Sequence, residues 1–311
     1  MYSAQIEEPA LQERLQPWVE IECYQLSDGR ILSQMDTLDL GSLKIVRESQ
    51  HASIQKLGIT PPDFCTLSIS AQSLTSRFSE LRCEQTDTIF FLPGNVEFDI
   101  HVPCGGLTSY IGFSQKEFLS GAAVLNPALW ERPPSRVVSL TGGGQNDFKD
   151  AVDLWLKMAQ EAQMRGEAPN PAVLSRHLLH TVLQIAATAG NAENADVKEP
   201  ISAVEIGRKA RSFVDQQFEA GELPTLVDIC AFIRVSERTL RYAFQEYVGL
   251  SPIAYLRACR LNRVRKALTV ATAPDSTVTQ IAMHYGFMHL GRFASDYRRM
   301  FDQNPSETLA N

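Results

Sequence analysis

The stretch IAMHYGFMHLGRFASDYRRMF, Ile281 to Phe301, gathers two histidines, a run of aromatic side chains and three arginines. Three kinds of chemistry use such a mixture: metal ligation by the imidazoles, a cofactor pocket lined by the rings, or a grip on a polyanion by the guanidinium groups. The histidines do not suit the first. His284 and His289 are five apart with a turn between them, not at the i, i+4 spacing that turns two helical ligands toward one ion. Cys23, Cys65, Cys83, Cys104, Cys230 and Cys259 are scattered without a C-x-x-C pair, as reduced, buried small hydrophobes are and zinc ligands are not. His51 and His101 stand far apart, and no H-x-H followed by a carboxylate occurs near them. A metal-dependent barrel enzyme is therefore disfavoured, and no metal or cofactor is expected.

A polyanion partner sits awkwardly with a net charge of −7 over 311 residues, since phosphate binding draws on positive charge. The charge is not evenly spread. From Pro200 onward 14 Lys+Arg face 11 Asp+Glu, while the first 199 residues hold 15 against 25. Leu223–Met300 alone carries 11 basic and 5 acidic residues. An acidic body with a basic C-terminal module is the better description.

The elements that must position these groups follow from periodicity. From about Ile31 to Val138, segments such as GSLKIVRES, DFCTLSISA, DTIFFLPG, VEFDIHV and LTSYIGFS alternate or form short apolar runs between turn residues, which predicts a small β-barrel or double-sheet jelly roll. Beyond ERPPSR and TGGGQ the period becomes helical, through Phe148, Val152, Trp155, Leu156 and Ala159, and again through Leu174, Leu178, Leu179, Val182, Leu183 and Ile185. The second stripe either covers the barrel or joins a second copy of the chain. GNAENADVKEP, Gly190–Pro200, has almost no bulky residues and reads as a linker. The expected division is a sensor or dimerisation domain over 1–190 (barrel about 31–140, helices about 145–189), a linker over 191–200 and a helical domain over 201–311. No apolar run is long enough for a membrane span. The opening MYSAQIEEPALQERL is acidic where a secretion signal begins basic, so a cytoplasmic location is expected.

The basic module repeats itself. Thr225–Cys230 aligns with Thr277–Ala282 at an offset of 52, and past the next turn Leu240, Phe244 and Pro252 align with Phe293, Tyr297 and Pro305 at an offset of 53. Each copy reads as a short helix, a tight turn and a second helix sharing an apolar core, which is the helix-turn-helix plan. Ser236 stands where an N-cap is needed, and Gly286 stands in the second turn, where a positive φ favours glycine. Ser251-Pro252 opens an intervening helix of about 27 Å, long enough to hold two recognition helices near the ~34 Å repeat of the major groove. Arg263, Arg265 and Lys266 on its outer side are either solvated or turned toward phosphate.

VSERTLRYAFQEYVGLSPIAYLRACRLNRVRKAL followed by TVTQIAMHYGFMHLGRFASDYRRMFDQNPSE resembles the DNA-binding domain of the AraC/XylS transcription regulators, over about Val204–Ser306. The matching positions include Leu240, Phe244, Gly249, Ser251-Pro252, Arg260-Leu261, Gly286-Phe287, Phe293, Phe301 and Pro305; Asp302 stands where the family often has Gly. GFMHLGRFASDYRRMF is also similar to a subgroup that includes the ethanolamine-utilisation regulators. The resemblance implies an α+β chain: an N-terminal cupin-like barrel with helices, then two helix-turn-helix motifs joined by a linker helix. It implies a transcription regulator, an activator rather than an enzyme, that binds a double-stranded DNA operator, contacts RNA polymerase and responds to a small-molecule effector.

The early, exposed positions of a second helix meet base edges. In the first copy these are Arg238, Arg241 and Tyr242, which match the family's base-facing positions, with Ser236 and Thr239 beside phosphate. In the second they are His289, Leu290, Arg292 and Ser295, with Arg298 and Arg299 near the backbone. Leu290 can meet only a thymine methyl and Gly291 nothing, so the first copy should read bases and the second grip phosphate. A homodimer through 148–185 is a further expectation. The rival readings are a barrel enzyme or DNA alkyl-repair protein fused to this module, or a DNA binder that needs no effector.

Overall fold

A computed structural model describes all residues except 72–75, 83–87, 143, 168–169, 192–201, 272–276 and 311. Most of the expected linker, 192–200, and Cys83 therefore lie outside the described residues. The chain forms two compact units: Met1–Cys23 with Ile31–Ala195, and Tyr24–Arg30 with Asp196–Asn311.

The first unit runs β1 (Tyr2–Ile6), α1 (Pro9–Leu15), β2 (Glu20–Gln25), β3 (Ser33–Asp39), β4 (Lys44–Gln50), β5 (Ile54–Ile59), β6 (Phe64–Ala71), β7 (Arg77–Phe78), β8 (Leu81–Arg82), β9 (Ile89–Leu92), β10 (Glu97–Val102) and β11 (Leu107–Ser114). Then come α2 (Gln115–Leu125), α3 (Pro127–Trp130), β12 (Val138–Thr141), α4 (Gln145–Met164), α5 (Pro171–Thr188) and β13 (Gly190–Asn191). Two antiparallel sheets result, in the orders β1-β3-β4-β11-β6-β9-β12-β13 and β2-β5-β10-β7-β8. Strands β1 and β2 precede Ile31, so the sheets draw on chain ahead of the expected barrel.

The run IFFL of β9 shows why the sequence there is apolar without alternation. Successive strand side chains face opposite ways, and both faces of this strand are covered. Phe91 joins Phe113, Phe118, Trp130 and Phe148 under the helices, while Phe90 stacks on Phe78 between the sheets with ring centroids 4.4 Å apart. The stripe of α5 is spent in the same way. Leu178, Val182 and Ile185 are buried with Val152 and Leu156 of α4 against the larger sheet, so these residues cover the sheet.

The second unit is helical: α6 (Ala203–Glu219), α7 (Leu226–Ile233), α8 (Glu237–Val248), α9 (Pro252–Val270), α10 (Val278–His284), α11 (Leu290–Phe301) and α12 (Pro305–Ala310). Gly207 allows α6 to meet α8 closely, since a Cβ there would lie 2.4 Å from Tyr247 Cγ. Tyr24–Arg30 also belongs to this unit, which periodicity gave no reason to expect. Gln25, fully buried, receives a hydrogen bond at its carbonyl from Asn262 Nδ2 (2.8 Å) and donates its main-chain N–H to Asn262 Oδ1 (3.1 Å). Its Nε2 donates to the Met300 carbonyl at 2.8 Å. The Arg211 guanidinium lies 3.8 Å over the Tyr24 ring.

Candidate nucleic-acid interface

Both helix-turn-helix motifs are built by local chemistry. α7 and α10 each open on a reciprocal cap: the Thr225 hydroxyl accepts from Asp228 N while Asp228 accepts from Thr225 N, and Thr277 and Gln280 do the same. Two otherwise orphaned N–H groups are satisfied each time. These bonds to Thr225 also hold the Asp228 carboxyl below the usual carboxylate range. The turns that follow require a positive φ at equivalent places, met by Arg234 (φ 62) and Gly286 (φ 81). Buried Ile229, Leu240, Ala243 and Phe244 lock the first motif, and Ala282, Phe293 and Tyr297 the second. The aromatic rings of Tyr285 and Phe287, whose types suit that core, are only half-buried.

All four early positions of α8 are free to meet a ligand: Arg238, Thr239, Arg241 and Tyr242 are exposed, Tyr242 at 66%. Arg238, Arg241 and Tyr242 stand at i, i+3 and i+4, on one face. Arg238 has no ion-pair partner among the described residues, and Arg241 is held by Glu237 at 2.6 Å in an exposed pair, too weak to prevent exchange for a base or phosphate. Ser236 caps α8 by accepting from Thr239 N at 3.1 Å, and its hydroxyl meets that of Thr239 at 2.8 Å. The two expected phosphate contacts are thus already one hydrogen-bonded pair at the head of the helix.

α11 presents a different head. His289 occupies its N-cap without a side-chain hydrogen bond to the helix, leaving the first N–H groups open, as an anion site at a helix N-terminus requires. Arg292 and His289 line a groove with Arg257, Arg260 and Thr225. Ser295 is exposed. At the far end Arg298 is exposed, whereas Arg299 is drawn to Asp296 at 3.0 Å and Asp28 at 3.5 Å. Arg299 is therefore engaged with carboxylates of its own unit.

The outer charges of α9 are mostly committed. Arg265 is buried with its guanidinium 4.6 Å over the Phe301 ring, and Arg263 pairs with Asp215 at 2.5 Å. Only Lys266 of the three is exposed. Asp215 also holds Arg211, which donates to the Tyr255 hydroxyl at 3.0 Å. Burial keeps that phenol neutral, its pKa well above the ordinary value. Sequence reading missed the partner of Arg263, because Asp215 lies 48 residues from it. It also passed over Arg234, an exposed cation in the first turn, which is detectable once the two copies are superimposed on Gly286.

Comparison with known proteins agrees with this geometry. Residues 229–311 match the family described as a helix-turn-helix domain. The XylDLEGF operon transcriptional activator 2 of Pseudomonas putida is 37% identical over 86 residues, 28% of this chain and 55% of that protein. The probable thc operon regulatory protein of Rhodococcus erythropolis is 38% identical over 85 residues, 27% of this chain and 26% of that protein. The chain thus spans between about a quarter and about half of these relatives' length. The AraC-like transcriptional activator CuxR has 15% identity across 84% of this chain and 93% of its own, with a TM-score of 0.41. The C-terminal unit is a double helix-turn-helix DNA-binding domain. Through that unit the chain is similar to the AraC/XylS regulators.

Proposed function

We propose that the protein is a sequence-specific transcription activator whose N-terminal unit senses a small molecule. The observation that carries this reading is the exposed face of α8, where Arg238, Arg241 and Tyr242 stand together on a capped helix inside a double helix-turn-helix domain. Arginine pairs bidentately with guanine O6 and N7 in the major groove. The sign of regulation is taken from the P. putida relative, an activator by name, and implies contact with RNA polymerase. In this reading residues 1–190 are the sensor and 201–311 the DNA reader, although Tyr24–Arg30 groups with the second unit. Leu154, Met158, Met164 and Val173, exposed apolar side chains of α4 and α5, are the surface for a homodimer within 148–185. A cytoplasmic, non-enzymatic role is part of this reading, taken from the regulators that the chain resembles.

Selecting bound sequences from random DNA with the full chain tests the reading. A recurring site with two half-sites about one helical turn apart is expected, and uniform recovery of random sequence overturns it. Footprinting on that site in the presence and absence of cell metabolites then separates an effector-responsive activator from a binder that needs no effector.

A further inference from the structure

A cavity lies between the two sheets of the first unit, with a volume of about 70 Å³. Phe64, Phe78, Leu92, Phe98, Ile100 and Val46 make most of its wall. One end is polar, built from Gln16, Glu48, Lys56 and Tyr110. The hydrogen bonds of that end determine what it can accept.

Glu48 is saturated. Its Oε1 accepts from Gln12 Nε2 at 2.7 Å and from Gln50 Nε2 at 2.6 Å, and its Oε2 pairs with the Lys56 ammonium, all of them buried. The pair is neutral overall. Gln16 is the reverse case. The Trp18 indole can only donate, and it donates to the Tyr110 hydroxyl at 3.0 Å. Tyr110 must then spend its own proton on Gln16 Oε1, at 2.9 Å. That relay fixes the orientation of the Gln16 amide and leaves its Nε2, in a side chain 3% exposed, with no hydrogen-bond partner. A buried donor left unpaired costs ~1–3 kcal/mol, which a ligand acceptor would recover.

We infer that this cavity binds a short, uncharged, mainly apolar molecule bearing an oxygen acceptor, such as a ketone, aldehyde, ester or alcohol, which takes the free Gln16 N–H. The inference rests on the sensor reading above and names the chemical class of its effector. A carboxylate is disfavoured because Lys56, the one cation among the described lining residues, is already matched by Glu48, so a bound anion would be a third charge in an apolar slot. An ammonium would be a second cation beside Lys56, whose one carboxylate partner is already matched. The volume, against the ~150 Å³ of a cavity that admits benzene, limits the ligand to a few carbon atoms.

The test uses the full chain, with the indole N–H resonance of Trp18 (assigned with Trp18→Phe) as the readout, since this group heads the relay. Acetone, which only accepts hydrogen bonds and is small enough for the cavity, should shift that resonance saturably, and acetate should bind at least tenfold more weakly. Glu48→Gln leaves Lys56 unmatched and should reverse the preference in favour of acetate. Gln16→Glu keeps an acceptor for Tyr110 and removes the free donor, so it should weaken acetone at least fivefold while 2-propanol, which can donate, is retained. Thermal melts of both variants verify that they remain folded. Acetate binding within threefold of acetone, no saturable shift with acetone, or no reversal in folded Glu48→Gln overturns the inference. Sequence selection by the same protein is independent: specific DNA binding with no ketone binding sinks the inference alone, and ketone binding with no DNA preference sinks the functional reading alone.

Discussion

The two helix-turn-helix copies share a frame and differ in what they hold out from it. At the offset of 53, Arg238, Arg241 and Tyr242 of α8 stand opposite Gly291, Ala294 and Ser295 of α11. All six are exposed. The core positions, by contrast, keep bulk on both sides, with buried Leu240 and Phe244 answered by buried Phe293 and Tyr297. A repeat that holds its core and strips one outward face has divided its labour: α8 retains groups able to distinguish bases, and α11 retains the cations and open N–H groups that serve any phosphate. The comparison is exposed to failure at four depths.

The largest effect is in the shared core. Phe244, fully buried against Tyr247 and Tyr255 at centroid distances of 6.1 and 5.1 Å, should cost about 3–5 kcal/mol as Phe244→Ala. Tyr297→Phe, at the same place in the second copy, keeps the ring and loses the bond to the Thr308 hydroxyl at 2.9 Å, and should cost about 1 kcal/mol. Urea melts followed by circular dichroism measure both. Equal losses would mean that the ring at 244 does not hold its core as argued.

Binding should show the division more directly. Arg238→Ala is expected to cost about 1–3 kcal/mol on the selected site and to relax its sequence at one position. Arg292→Ala should weaken specific and random DNA alike, and lower the salt slope by about one. Titrations at several salt concentrations on both kinds of DNA check this pair. If Arg292→Ala relaxes sequence and Arg238→Ala does not, the assignment of the copies is inverted.

Much of this was legible in the sequence, because helix-turn-helix architecture is written in local signals. The caps at Ser236 and Ser251, the glycine at 286 and the apolar spacing around Leu240 act within a few residues, and each forms as read. The α+β class was legible for the same reason: strand-length apolar runs give way to helical spacing at Phe148. What sequence could not show was decided over distance. Arg263 and Arg265 scan as surface charge, yet the carboxylate and the ring that engage them arrive from α6 and α11. Gln25 scans as the end of a strand and is buried in the helical unit, 237 positions from its partner Asn262. The stripe on α5 left two burial partners open, and only packing selects the sheet.

A smaller effect tests the heads of the recognition helices. Ser236→Ala removes the acceptor for Thr239 N and should cost about 1 kcal/mol in stability. The second copy begins from an uncapped His289, so His289→Ser should stabilise, by about 0.5–1 kcal/mol. If the open N–H groups of α11 hold a phosphate, His289→Ser should also weaken DNA, because the new hydroxyl competes for them. Stability rising without any loss of affinity would remove the helix N-terminus from the interface.

The finest difference lies in the turns, where each copy places a glycine in one left-handed position and an ordinary residue in the other. Arg234 (φ 62) answers Gly286 (φ 81), and Gly249 (φ 71) answers Asp302 (φ 50). A non-glycine residue pays about 1–2 kcal/mol there, and glycine returns about half through its greater freedom when unfolded. Arg234→Gly should therefore stabilise by several tenths of a kcal/mol, to about 1. Asp302→Gly should gain less, because aspartate tolerates this conformation better than arginine. The reverse substitutions should differ for a steric reason. A Cβ on Gly249 meets nothing within 4 Å, whereas one on Gly286 lies 2.7 Å from a Leu223 methyl carbon, so Gly286→Ala should be the more costly. Urea midpoints of the four variants order these effects. An arginine kept at 234 against that strain would then be explained by the DNA: if Arg234→Gly stabilises the protein while weakening binding evenly across sequences, the exposed cation of the first turn is a phosphate contact.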